Sequence, residues 1–219
     1  MIKHSSRLAT KLICAVTLAP VCLLLGQSDT LRNPRTDGPS RHLTIVGFKL
    51  GKNTLADVQA RLGKASIRQC SRDEEASKEL CYSGKDGTRI AFKAGFSGGW
   101  SELDAYRVIA RDAGSSCYST CARTDQMIAA NVETSGGLRL GISRQLLLTR
   151  LGPPKTTKGS ELVFQWHSRQ PMTKEQAEGA GKTFKTPVTD PSYDVQDTIK
   201  VELRHSKVAE FEVEHLVTY

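Results

Sequence analysis

The sequence predicts an α+β fold built from two tandem repeats, each a short helical segment packed on an antiparallel β-sheet. Three observations predict it. A glycine-framed, helix-shaped segment occurs twice, ending in Arg61-Leu62-Gly63 and again in Arg150-Leu151-Gly152. After each copy the apolar residues alternate with period two, which marks strands with one buried face. The composition, 38% hydrophobic and 25% charged over 219 residues, is that of a folded chain. It excludes global disorder and a multi-span membrane protein.

Residues 1–28 read as an export signal. Lys3, Arg7 and Lys11 form a basic start, and Leu12 to Gly26 carry no charge. That run of 15 residues is shorter than the roughly 20 a helix needs to span a bilayer. Gly26-Gln27-Ser28 supplies a small-x-small cleavage site, with Asp29 as the mature start. An uncleaved anchor is the second reading. Lipidation at Cys22 is the third, but Val21 stands where a small residue is wanted. The expected location is periplasmic or secreted, with membrane contact only through residues 1–28 if they remain uncleaved. Residues 29–42 have no apolar period and read as a flexible linker.

The first repeat spans 43–126. Gly47-Phe48-Lys49-Leu50-Gly51 leads to Thr54, an N-cap forming a capping box with Asp57. Leu55, Val58 and Leu62 share one helical face, and Gly63 ends the helix. The second repeat spans 127–219. Gly137-Leu138-Arg139-Leu140-Gly141 leads to the cap Ser143, then Leu147, Leu151 and Gly152, and Pro153-Pro154 bar continuation. Gly63 and Gly152 lie 89 residues apart.

Strands follow each helix. In the first half they fall at Cys70, Leu80 to Tyr82, Thr88 to Ala94 and Leu103 to Ala110. In the second, Leu162, Phe164 and Trp166 form one apolar face, Ile199, Val201 and Leu203 another, and Ala209, Phe211, Val213, His215 and Val217 a third. The last two strands form a hairpin around Ser206-Lys207. Odd residues must face odd, so a two-residue loop there would mix the faces, and a longer loop or a bulge is required. Residues 169–194, rich in Thr, Lys, Gly and Pro, read as a surface loop insertion with a helical turn near Lys174–Glu178.

Four cysteines follow the signal: Cys70, Cys81, Cys117 and Cys121. An even number in an exported chain implies disulfides. Pairing by proximity gives Cys70–Cys81 and Cys117–Cys121. A four-thiolate metal site wants two short pairs, and only one pair is short. Cys117 and Cys121 are too far apart for a C-x-x-C redox motif.

Leu140-Gly141-Ile142-Ser143 and Leu151-Gly152-Pro153-Pro154, followed by antiparallel strands, resemble the BamE (SmpA/OmlA) family of outer-membrane assembly lipoproteins. The tandem arrangement over residues 43–219 resembles the β-lactamase inhibitory protein family. The resemblance implies a disulfide after the first helix, at Cys70 and Cys81. It also implies a non-enzymatic module that binds another envelope protein, as an assembly factor or as an inhibitor of an exported enzyme.

Catalytic motifs are not found, and no catalytic residue, metal ligand or cofactor is assigned. Gly181-Lys182-Thr183 resembles the end of a phosphate loop, but Gln176 stands where that loop needs glycine. No G-x-S-x-G elbow or metal-spaced histidine pair occurs, and His215 reads as a satisfied, half-buried histidine. The net charge is +8, with 31 basic and 23 acidic residues, three of the basic ones in the signal. The remaining excess is too mild to imply nucleic acid. The candidate partner-binding surface is the polar face of the last hairpin: Lys200, Glu202, Arg204, Glu210, Glu212 and Glu214, extended by Gln165 and His167. Cross-strand ion pairs on an ordinary solvated face are the simpler reading of those residues. The alternative function is an envelope hydrolase whose catalytic residues the sequence does not identify.

Overall fold

Each α-helix is eight residues long and is fixed at both ends by its own sequence. In α1 (Leu55–Leu62) the Thr54 hydroxyl accepts from the Asp57 N–H, and the Asp57 carboxylate accepts from the Thr54 N–H at 2.8 Å. In α2 (Arg144–Leu151) the Ser143 hydroxyl accepts from the Leu146 N–H at 3.2 Å. Gly63 and Gly152 close the helices, donating to the Gln59 and Leu148 carbonyls. The matched sequences therefore give matched local structures. The match extends to a detail the pattern did not announce. Arg61 lies against Gly47 and Arg150 against Gly137, so close that a Cβ on either glycine would come within 2.5 Å of the guanidinium. Both glycines have φ of +78°.

The computed structural model describes residues 38–68, 77–95, 102–113, 118–124, 127–175, 177–178 and 191–218. All belong to one unit, Pro34–Tyr219. The expected signal at 1–28, the linker up to residue 37, Cys70, Cys117 and positions 179–190 lie outside the described residues.

The chain is mainly β, which overturns the expected α+β tandem-repeat fold. A small hairpin pairs β1 (Thr44–Ile45) with β2 (Phe48–Lys49). The other strands are β3 (Lys78–Ser83), β4 (Arg89–Ala94), β5 (Leu103–Ile109), β6 (Ala122–Arg123), β7 (Thr156–Lys158), β8 (Glu161–Pro171), β9 (Ser192–Arg204) and β10 (Lys207–Thr218). They make one eight-stranded sheet in the order β6-β3-β4-β5-β10-β9-β8-β7. It is mixed, because β6 runs parallel to β3 while the other neighbours are antiparallel. The physical reason is the seam. β5 pairs with β10 from Glu210↔Ile109 to Glu214↔Ala105, so the halves share one sheet instead of building one each. Only two α-helices occur among the described residues, too few to make helix an equal partner.

Apolar parity decides the faces. Leu80, Tyr82, Ile90, Phe92, Tyr106, Val108, Phe211, Val213, Ile199, Val201, Leu162 and Phe164 share the face that packs on Val58, Leu62, Leu147 and Leu151. Burial of this surface is the main stabilising term. Two tyrosines in it keep their hydroxyls satisfied: Tyr82 donates to the Gly63 carbonyl at 2.7 Å, and Tyr106 donates to the His42 carbonyl. Burial pushes the Tyr82 phenol up to about 12.

Several expected boundaries move. The linker ends early, since Pro39–His42 form a 3-10 helix and His42 is buried against the Thr134 hydroxyl at 2.9 Å. The expected loop 169–194 is shorter, because β8 runs to Pro171 and β9 starts at Ser192. The turn near Lys174–Glu178 is present, with Ala177 donating to the Thr173 carbonyl at 3.0 Å. The hairpin turns one residue earlier than expected, at His205-Ser206. The bulge that parity required lies between Val208 and Glu210.

Candidate protein-binding face

The sheet face opposite the helices differs between the halves. Over β3–β5 it is covered. Residues 110–113 and 118–124 lie over it, so that Ala113 and Tyr118 pack on Cys81, Ala91 and Ile109. Arg89 holds this cover, donating to the carbonyls of Tyr118 at 3.1 Å, Ala110 at 3.1 Å, Arg111 at 3.2 Å and Ala113 at 2.6 Å.

A disulfide ties down the cover's end. Cys81 bonds to Cys121, with Cα atoms 4.9 Å apart. This corrects the expected pairs Cys70–Cys81 and Cys117–Cys121. β6 lies parallel beside β3 with Tyr82 opposite Ala122, which sets Cys81 beside Cys121. Strand pairing, 40 positions apart in sequence, overrides proximity along the chain.

Over β8–β10 no described residue builds such a cover. Rows of side chains cross the strands there. One runs Val163–Lys200–Glu212–Arg107, and a second runs Gln165–Thr198–Glu214–Ala105. A third sets Glu161, Glu202 and Glu210 directly opposite one another. Lys200 pairs with Glu214 at 2.6 Å, and Ser160 donates to Glu202. A shallow cleft of about 280 Å³ lies among Arg107, Glu161, Lys200, Glu202, Glu210 and Glu212.

Of the eight expected binding residues, Gln165, His167, Lys200, Glu202, Glu210 and Glu214 come together on this open face. Glu212 does not serve as expected. It is only 3% exposed, held by Lys93 at 2.8 Å and by Arg107. Its burial follows from the seam, which puts Arg107 directly opposite it. Arg204 also departs from the expectation. It sits at the hairpin turn and reaches across to donate to the Asp112 carbonyl at 2.5 Å.

The electrostatics separate a structural part from an available part. Burial would push the Glu212 carboxyl up, but Arg107 and Lys93 outweigh it and hold it below the ordinary carboxylate value. Burial pushes the Glu210 carboxyl up, Glu212 and Glu202 add to this, and Arg107 opposes it. Lys93 also meets Glu79 at 3.4 Å, and Tyr118 donates to Glu79 at 3.1 Å. Burial, followed by Glu79, pushes the Tyr118 phenol up to about 12. Lys93, Arg107 and Glu79 were missed from sequence. Their one signal was a charge inside a largely apolar strand, Glu79 in β3, Lys93 in β4 and Arg107 in β5, and nothing local announced that these would meet β10.

His215 lies on the other side of the sheet, its Nδ1 2.6 Å from the Asp197 carboxylate. Its ring packs on Gly51, where a Cβ would lie 3.1 Å from the imidazole. A cleft of about 340 Å³ on the open face is lined by Lys93, Thr198, Lys200 and Glu214 and reaches Asp104 and His215 at its end. Among the described residues no group of three or more His, Cys, Asp or Glu side chains is placed to hold a metal ion. No described helix is long and apolar enough to cross a membrane. No family model, curated protein or solved structure matches the chain.

Proposed function

We propose that this chain is an exported, non-enzymatic protein-binding module of the bacterial cell envelope, an assembly factor or an inhibitor of an exported enzyme. The observation that carries this reading is the difference between the two sheet faces. The β3–β5 face is sealed by its own chain, while the β8–β10 face presents a firm charged surface. A charged face of this kind steers association and selects partners. The Cys81–Cys121 bond supports an oxidising compartment, and the basic, then uncharged start of the sequence supports export.

The test is a capture from envelope extracts with charge-reversed variants. A partner retained by the wild-type chain should be lost with Glu202→Lys and Glu214→Lys together. It should be kept with Arg144→Glu on the helix side. Loss with Arg144→Glu, and not with the paired change, would refute the placement. The Asp197–His215 pair is the observation that favours the second reading, an envelope hydrolase in which the carboxylate orients the imidazole. Hydrolytic activity abolished by His215→Gln would support that reading.

A further inference from the structure

We infer that the outer edge of β8 beyond Val163 is a strand-addition site, which takes an extended partner segment alternating apolar and acidic residues. The inference rests on the protein-binding reading and specifies how a partner engages. β7 pairs only with Glu161 to Val163. Its last bond is Lys155 N–H to the Val163 carbonyl at 2.7 Å. The next residue back is Pro154, preceded by Pro153, and neither has an N–H to continue the ladder. β8 nevertheless runs on to Pro171.

The direction of its backbone groups follows from alternation. Val163 points its main chain at β7, so Gln165 and His167 point theirs the same way, and Phe164, Trp166 and Ser168 point theirs at β9. Among the described residues none pairs with the outward N–H and C=O of Gln165 and His167. Sheet edges of this kind are usually shortened, covered or blocked. The opposite edge of the sheet is the two-residue β6, tethered through Cys121. The β8 edge is left as a template for main-chain pairing.

Side chains along the edge state the occupant's chemistry. On the open face Lys155 donates to Gln165, and His167 and Arg169 follow on the same strand face, Arg169 paired with Asp194 at 3.3 Å. Lys155 and Arg169 bring two cationic heads to this fringe, the second shared with Asp194, and Lys155 is the group that complements acidic side chains. On the other face Trp166 is half-buried, stacked on Phe164 with ring centroids 6.4 Å apart. It offers an apolar step to every second residue of an added strand. An added strand satisfies both rows at once, because neighbouring side chains of a strand point to opposite faces.

The test uses a fluorescein-labelled nine-residue peptide alternating valine and glutamate. It is compared with one alternating valine and lysine, and with the glutamate peptide N-methylated at every second amide. Anisotropy on the full chain should show the glutamate peptide binding at least tenfold more tightly than both. Amide exchange at Gln165 and His167 should be fast in the free protein and slow with peptide, while Trp166 is slow in both. His167→Pro removes an outward N–H and leaves the β8–β9 ladder intact, so it should abolish peptide binding in a chain that still melts cooperatively. Binding of the N-methylated peptide or of the lysine peptide as tight as that of the glutamate peptide would overturn the inference. So would a dimer in sedimentation that His167→Pro dissolves, since the edge would then belong to a second copy. If the peptide binds and the Glu202→Lys, Glu214→Lys chain still captures its partner, the open-face reading fails alone. If that capture is lost while His167→Pro binds peptide undiminished, the edge inference fails alone.

Discussion

Arg107 on β5 and Glu212 on β10 stand directly opposite each other across the seam where the two halves of the sheet join, and the carboxylate takes both the Nε and a terminal N–H of the guanidinium. Lys93 reaches the same carboxylate from β4. A buried anion between two cations is stable only while the set is complete.

Removing one cation should therefore cost much more than a surface charge. Arg107→Met leaves Glu212 buried with one partner, and a loss of ~3–5 kcal/mol is expected. Surface changes such as Arg144→Ala should stay within ~0.5 kcal/mol. Urea denaturation of the three proteins measures the difference.

The same carboxylate sets a pH dependence. Glu212 is held below its ordinary value of 4.5, so its contribution is present above that value and is lost as pH falls through the folded one. Glu210 is raised and acts oppositely: its contribution is present below 4.5 and is lost as pH rises through its folded value. Glu212→Gln should flatten the acid limb of the stability curve, and Glu210→Gln should not. Thermal melts across the acidic range distinguish them.

Non-reducing peptide mapping should recover Cys81 linked to Cys121. The bond closes a sequence separation of 40, for which loop-closure entropy gives about 4 kcal/mol. Cys121→Ser should lower stability by an amount of that order. It should also make residues 118–124 an early site of proteolysis, because the covalent tie of that segment to β3 is gone.

Gly47→Ala and Gly137→Ala should each destabilise. The new Cβ meets a guanidinium at 2.5 Å, and φ is +78° at both positions. The left-handed conformation alone costs about 1–2 kcal/mol. Pairing Gly47→Ala with Arg61→Ala should recover the steric part and leave the conformational part. Chemical denaturation of the double variant checks this.

The turn between β9 and β10 has room for improvement. His205 and Ser206 have φ of 49° and 60°, a conformation that favours Asn-Gly. His205→Asn with Ser206→Gly should raise stability by ~1 kcal/mol, read as a higher denaturation midpoint.

Much of the local structure was legible in the sequence. Thr54, Asp57 and Ser143 mark helix starts by chemistry that acts within three residues, and Gly63 and Gly152 mark the ends. Parity in β9 and β10 required the bulge before it was seen. What stayed hidden was long-range. The seam pairs residues about a hundred positions apart, so no local period announces that Arg107 meets Glu212. The expectation of two separate sheets failed for that reason. The disulfide failed likewise, since β6 is two residues long and gives no strand signal. Glu212 looked available because its neighbours in sequence are polar, but burial is decided by the strand beside it.

Site-specific photocrosslinking in cells tests the central claim most directly. A photoreactive residue at Gln165, Glu202 or Glu210 should yield one discrete adduct with a partner protein. The same residue at Leu146 on the helix side, or at Ser119 on the cover of β3–β5, should yield none. Adducts confined to Leu146 or Ser119, with the β8–β10 positions silent, would contradict the assignment of the open face as the binding surface.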